Sequence, residues 1–312
     1  MKIPVFVIHG FLESGKTRFA LETLADAYFS EGERNLVLAC EEGMEEYDEE
    51  ILKQSGATLV MLENKSEFNE RFLAECQKKY KPTQIVLEYN CMWGMDFLRD
   101  MYMPKGWFVA QVITVVDAST FDVYLKNMKS LFMEMAKDSD LIIFNRSNDA
   151  TPAAAYKRNM RAVNPKAQVV FEKEDGTMLE FEEEMPFDLD ADVIEIEDVD
   201  YGIWYIDAMD HPERYDGKTL CFTAMAYTGK HLPEGYFVPG RMAMTCCADD
   251  TAFIGFLCRS SYVDRLKQRQ WIKVTARAHM EKRPEYNGEE GIVLHSVNIK
   301  KAEKPEEELV YF

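Results

Sequence analysis

The sequence predicts an α/β unit built on a parallel sheet with flanking helices, followed by a small antiparallel β-barrel. Three observations carry this. In the first half, short continuous apolar runs alternate with stretches of helical spacing, as in a parallel sheet covered on both faces. A glycine-bracketed loop, "GFLESGKT", joins the first apolar run to the first helical stretch at residues 10–17. Beyond residue 200, five β-rich runs follow one another, separated by Gly, Pro and polar turns.

In order, "PVFVIHG" reads as the first strand. "TRFALETLADAYFSEG" reads as a helix, with apolar residues at Phe19, Ala20, Leu24, Ala27 and Tyr28 and a stop at Gly32. "NLVLAC" is the next strand. "SEFNERFLAECQKKY" is a helix capped at Ser66. "QIVLEYN", "VAQVITVVDA", "DLIIFNRS" and "AQVVFE" are four further strands. The character changes near residue 171. Residues 171–200 hold fourteen acids against one lysine, with few helix or sheet signals. The barrel runs are "TLCFTAMAY", "YFVPGRMAMTCC", "AFIGFLCRSS", "WIKVTARAHM" and "GIVLHSVNIK", a spacing that suits an OB-type barrel. The expected division is a nucleotide-binding unit at 1–172, an acidic linker at 173–200 and a β-rich unit at 201–312.

The 312 residues carry a net charge of −19, with 47% hydrophobic and 29% charged residues, as in ordinary globular proteins. No basic stripe exists, so nucleic acid is not an expected partner. A second acidic run, "EEGMEEYDEE" at 41–50, reads as a solvated face, or as a segment that meets divalent cations or a basic partner. The short apolar start lacks a basic leader and no window has membrane-span length, so a cytoplasmic protein is expected. Seven cysteines in no even framework read as free thiols, with Cys40, Cys76, Cys91 and Cys221 as core residues.

The loop has the form G-x-x-x-x-G-K-[ST], with a strand before it and a helix after it. Gly10 and Gly15 let the backbone fold around a phosphate, with Phe11, Leu12, Glu13 and Ser14 presenting N–H groups. The helix N-terminus at Lys16, Thr17 and Arg18 adds its dipole. Lys16 is expected to bridge phosphate oxygens, and Thr17 to give its hydroxyl oxygen to Mg²⁺. The fold class is therefore a P-loop NTPase sheet followed by an OB-like barrel. Glu13 is an acid inside an anion-binding loop, and its side chain is expected to point outward.

The first half resembles the CobW/HypB/UreG family of P-loop GTPases, particularly its CobW branch. "HGFLESGKT" looks like the branch's "TGFLGAGKT". "ACEEGMEEYD" looks like its switch segment "NEFGEVGID", aligning Glu42, Gly43 and Asp48. "IVLEYN" looks like "IIETSG" and places Glu88 at the acid ending a strand. "VITVVDASTF" looks like "VVTVVDA", with Asp117, and "NPKAQVV" looks like the "NPxA" segment. "DLIIFNRSND" looks like "ADVILLNKTD", which makes Asn145, Arg146 and Asn148 the base-reading positions. The resemblance implies GTP and Mg²⁺ as ligands, slow hydrolysis, metal delivery or cofactor assembly, and pairing through the switch face as a homodimer. Glu88, or Asp117, could orient water or bind magnesium; Asp117 could equally cap the helix that follows it. Glu42 is a further metal candidate.

Three departures stand out. N-K-x-D appears as Asn145-Arg146-Ser147-Asn148, and Asn148 has one carbonyl acceptor where Asp has a carboxylate for guanine, unless Asp149 reaches in. Arg146 can still stack over a base. The family's C-x-C-C metal motif is replaced by "ENKSEF". "CMWG" follows Asn90, where the family places a glycine.

"HPERYDGKTLCFTAMAY", "FVPGRMAMTCCADDTAFIGFLC", "QWIKVTARA" and "PEEELVYF", within residues 200–312, resemble the soluble C-terminal region of YcgQ-like bacterial proteins, which accompany a predicted permease. Cys246 and Cys247, with Asp249, Asp250 and either Cys258 or a histidine, offer ligands for zinc or a similar ion, or are one core thiol and one incidental one. Arg241 reads as an anion contact or a surface ion pair. His9, His211, His231, His279 and His295 are scattered. The leading expectation is a Mg²⁺-dependent GTPase acting on a metal-handling or permease partner, with 41–50 as the mobile switch. The alternatives are a non-hydrolysing nucleotide sensor or adaptor, and a metallochaperone using Cys246 and Cys247.

Overall fold

The computed structural model describes residues 2–181, 185–229, 231–244 and 251–310. The chain forms two compact units, residues 1–181 and 182–312.

The first unit runs β1 (Ile3–His9), α1 (Lys16–Ala25), α2 (Ala27–Ser30), β2 (Asn35–Ala39), α3 (Glu49–Gln54), β3 (Thr58–Met61) and α4 (Glu70–Tyr80). It continues with β4 (Gln84–Glu88), α5 (Met95–Arg99), β5 (Trp107–Asp117), α6 (Phe121–Lys137), β6 (Leu141–Ser147), α7 (Ala153–Val163) and β7 (Gln168–Lys173). The seven strands form one parallel sheet in the order β3-β2-β4-β1-β5-β6-β7. The inner strands β2 and β4 are buried at every position, as continuous apolar runs require. The order reverses around β1, so the loops at the carboxyl ends of β1, β2, β4 and β5 gather at one edge.

Two local expectations change. The stretch 17–32 is not one helix. Asp26 is extended and caps α2 by accepting from the Tyr28 N–H at 2.8 Å, which breaks the helix after Ala25. The cap of α4 is Asn69 and not Ser66; its side chain accepts from the Phe72 N–H at 3.0 Å.

The second unit runs β8 (Ile194–Glu195), α8 (Tyr201–Asp210), β9 (Thr219–Tyr227), β10 (Tyr236–Met244), β11 (Thr251–Gly255), β12 (Leu257–Arg259), β13 (Trp271–Lys282), β14 (Glu290–Lys301) and β15 (Leu309–Val310). Five strands close a barrel in the order β9-β10-β12-β14-β13 and back to β9. The pairing of β12 with β14 is parallel and the other four are antiparallel. Burial alternates along β13, with Ile272, Val274, Ala276 and Ala278 facing inward. Trp204 and Tyr201 of α8 pack into the same core, and so do Ile194 and Ile196.

Arg241 is a correction. It is not on the surface: it is 1% exposed and donates to the Asp198 carbonyl and carboxylate, both at 3.1 Å, and to the Glu307 carbonyl. Cys40, Cys76, Cys91, Cys221 and Cys258 are all buried free thiols. Cys258 lies in the barrel core, which removes it from an exposed zinc site. Cys246, Cys247, Asp249 and Asp250 lie outside the described residues.

Candidate functional site

The loop after β1 needs its glycines for two different reasons. A Cβ on Gly10 would lie 2.1 Å from the Val115 carbonyl oxygen, so backbone approaches backbone with no room between. Gly15 has φ +100°, and its Cβ would meet the Asn145 amide nitrogen at 2.3 Å. Gly15 is also the N-cap of α1, with no side-chain cap and no acid in the first turn. The first N–H groups of α1 therefore lack a side-chain partner and suit an anion. The Ser14 hydroxyl is buried beside them and, among the described residues, has no hydrogen-bond partner.

Lys16 is 3% exposed. Its ammonium donates to the carbonyls of Gly10 at 3.1 Å and Phe11 at 2.8 Å, and is ion-paired with Glu41. Glu41 follows directly on Cys40 at the end of β2. A carboxylate thus holds the place at Lys16 that a phosphate oxygen would take. The Thr17 hydroxyl donates to Glu88, at 3.0 Å from Oε1 and 3.2 Å from Oε2. The Tyr47 hydroxyl donates to Glu88 Oε2 at 2.5 Å. Burial raises the Glu88 carboxyl above the usual carboxylate range, and the Tyr47, Lys16 and Thr17 contacts only partly offset it. Burial, and then the Glu88 charge, raises the Tyr47 phenol.

Glu13 adopts φ +63°, and its carboxylate accepts from the Met44 N–H at 2.8 Å. Its side chain therefore faces the segment 41–47. That segment reaches the loop at two points, Glu41 on Lys16 and Met44 on Glu13, and reaches the end of β4 through Tyr47 on Glu88. Leu12, Glu13, Gly15, Lys16, Thr17, Glu41, Gly43, Glu45, Glu88 and Arg146 line one depression. Glu42 is exposed.

The end of β6 supports the loop from the other side. Asn145 donates to the Ser14 carbonyl at 3.2 Å. Arg146, at φ +55°, donates to the Glu13 carbonyl at 2.8 Å and to Asp117 at 2.5 Å. Asp117 also accepts from the Ser119 N–H at 2.9 Å and from its hydroxyl at 2.5 Å. Burial works against the Asp117 charge, but these bonds from Ser119 and Arg146 outweigh it and hold its carboxyl below the ordinary value. Asn148 is exposed and sits in a turn, its carbonyl accepting from the Ala150 N–H at 2.9 Å. Asp149 pairs with Lys173 at 3.4 Å. At the end of β4, Asn90 caps a tight turn over Cys91–Trp93. Tyr89 and Trp93 join Phe68 and Phe97 in an aromatic cluster beneath it.

Glu41 and Tyr47 are the site residues that motif reading missed. Both sit in the acidic run 41–50, where the resemblance to a switch segment aligns Glu42, Gly43 and Asp48 and gives no role to Glu41 or Tyr47. His9, next to the loop, is wholly buried. Burial, then the nearby Lys16 charge, lowers its pKa to about 3. Among the described residues no group of three His, Cys, Asp or Glu is placed to hold a metal ion, and no helix is long and apolar enough to cross a membrane.

Residues 4–171 match the profile of the CobW/HypB/UreG nucleotide-binding domain, and residues 171–312 match that of the DUF1980 C-terminal domain. A comparison with curated proteins finds no match. Among solved structures, the chain is similar to the zinc-bound YjiA GTPase from E. coli at 19% identity, covering 54% of this chain and 57% of that one, with TM-score 0.41. A zinc-bound triple mutant of YjiA GTPase gives 20%, 55%, 57% and 0.42. The hydrogenase maturation factor HypB from Archaeoglobus fulgidus gives 15%, 57%, 84% and 0.41. The match thus spans little more than half of the YjiA chains.

Proposed function

The chain belongs to the CobW/HypB/UreG family through its nucleotide-binding domain, and on that premise we propose that it is a Mg²⁺-dependent GTPase. Its nucleotide cycle would serve metal handling or a permease partner. The carrying observation is the pairing of Lys16 with Glu41 and of Thr17 with Glu88 at an uncapped helix N-terminus. A lysine ammonium and a hydroxyl are each held by a carboxylate where phosphate and metal chemistry would otherwise sit.

Magnesium fits the donor set. The Thr17 hydroxyl and the Glu88 carboxylate are hard oxygen donors 3.0 Å apart at the loop. Bound there with the phosphates, the ion would neutralise developing charge on the transferred group. The loop N–H groups would orient the phosphates, Lys16 would exchange Glu41 for a phosphate oxygen, and Glu88 would give up its hydrogen bond from Thr17, leaving the hydroxyl oxygen and the carboxylate to hold the ion. Release of Glu41 and Tyr47 frees the segment 41–47, and its position would report the nucleotide state to a partner.

The aromatic-backed turn at Cys91–Trp93 supports a second reading, a nucleotide sensor that binds without turnover. A time course of phosphate release from GTP and ATP with Mg²⁺ separates the two. The GTPase reading expects GTP turnover that is lost in Lys16→Ala. Tight binding without turnover would replace it with the sensor.

A further inference from the structure

A depression of about 540 Å³ lies at the amino ends of β1, β2, β4 and β5. It is open to solvent, and its volume falls within the ~300–1,000 Å³ of small-ligand sites. The seven residues of β1 separate it from the phosphate loop by about 20 Å, at about 3.3 Å per residue. Ile3 and Pro82 are its buried apolar lining, and Arg34, Lys81 and Lys105 are its exposed rim, with Gln77 beside them. No acid lines it.

The three cations are placed by backbone contacts and not by acids. Arg34 donates through Nε to the Lys81 carbonyl at 2.9 Å, which ties the start of β2 to the end of α4. Gln77 donates to the Lys105 carbonyl at 3.2 Å, which ties the turn before β5 to the same helix. Lys81 takes φ +48°, the left-handed place that a helix end usually gives to glycine. Among the described residues, no hydrogen bond or ion pair engages the Arg34 Nη groups or the ammoniums of Lys81 and Lys105. Lys78 and Lys79, in the last turn of α4, already complement its dipole. Arg34 and Lys105 come from other parts of the chain, so the helix end does not account for them.

We propose that this depression binds a small polyanion, a molecule carrying two or more phosphate or carboxylate groups, at the end of the sheet opposite the phosphate loop. A chain with net charge −19 repels anions as a whole, so one that binds here does so through a local field. Arg34 offers the planar fork that matches an oxyanion, held in orientation by its Nε bond. Lys81 and Lys105 add point charges on longer, freer stems. The apolar lining at Ile3 and Pro82 meets the carbon part of the ligand. The site is independent of the nucleotide-binding reading above.

The test is isothermal titration of the intact chain with pyrophosphate and, separately, with citrate, at low salt and without Mg²⁺. The variants are Lys81→Gln/Lys105→Gln, Lys78→Gln/Lys79→Gln and Lys16→Ala, each shown to be folded by circular dichroism. Wild type should bind at a site that Lys16→Ala leaves in place. Lys81→Gln/Lys105→Gln should weaken that site by about 10- to 30-fold, the upper end for two exposed ion pairs. Lys78→Gln/Lys79→Gln removes the same charge from the same helix and should leave it unchanged. Tighter pyrophosphate marks a phosphate ligand and tighter citrate a polycarboxylate, and either supports the proposal. Equal weakening by both lysine pairs would mark a diffuse field and overturn it. Binding lost entirely in Lys16→Ala would assign the anion to the phosphate loop and overturn it too. So would no binding of either anion to wild type, including the case in which a hexaglutamate peptide binds alone.

Discussion

Replacing Glu41 with Gln should weaken the free protein and strengthen its grip on nucleotide. Lys16 and Glu41 have side chains only 2% and 9% exposed. Removing one partner of a buried pair costs about 3–5 kcal/mol, because the other charge is stranded. Lys16 keeps two carbonyl acceptors, at 3.1 and 2.8 Å. Charge-assisted bonds of this kind keep part of the stabilisation, which lowers the expected cost to about 2–3 kcal/mol. On the proposed exchange, a phosphate oxygen would already have replaced Glu41 in the nucleotide-bound state, so the substitution should cost that state little. Linkage then returns the same free energy as affinity, about 30- to 160-fold. Urea unfolding of the free protein gives the first number, and calorimetric titration with Mg²⁺ and a non-hydrolysable GTP analogue gives the second. Unchanged or weaker affinity would refute the reasoning, since Glu41 would then remain engaged in the bound state and would not be competing with phosphate.

Gly15→Ala places a Cβ 2.3 Å from Asn145 at φ +100° and should abolish nucleotide binding, with a stability loss of about 1–3 kcal/mol in urea. His9 is neutral when folded, with its pKa lowered from 6.5 to about 3. The unfolded chain therefore takes up the proton first, and stability falls as pH drops from 6.5 towards 3. At pH 5 the loss is about 2 kcal/mol, and His9→Gln should remove that part of the acid slope in unfolding measured from pH 7 to 5. Trp204→Ala empties a side chain that is 0% exposed, so the second unit should lose about 3–5 kcal/mol by calorimetry.

What the sequence shows well is what depends on local pattern. β2 and β4 are unbroken apolar runs because both faces are covered, and the barrel strands alternate because one face is the core. The phosphate loop is legible because its glycines answer to backbone geometry fixed within a few residues. Other features are not local. α8 is apolar on nearly every side, and without a polar face it gives no helical period. Arg241 looks like a surface charge until Asp198 and Glu307, distant in the chain, close around it. The contacts of Glu88 with Thr17 and Tyr47 span 71 and 41 residues, so only the parallel strand order brings them together. The break at Asp26 turns on one side chain accepting from one N–H, against a helical period that continues through it.

The central claim is that the loop at residues 10–17 binds nucleoside phosphates through Lys16. Its most direct test is isothermal titration of the intact chain with GDP and Mg²⁺, beside Lys16→Ala shown to be folded by circular dichroism. One site per chain, lost in Lys16→Ala, is the predicted result. No heat in the wild type, or the same affinity in Lys16→Ala, would contradict it.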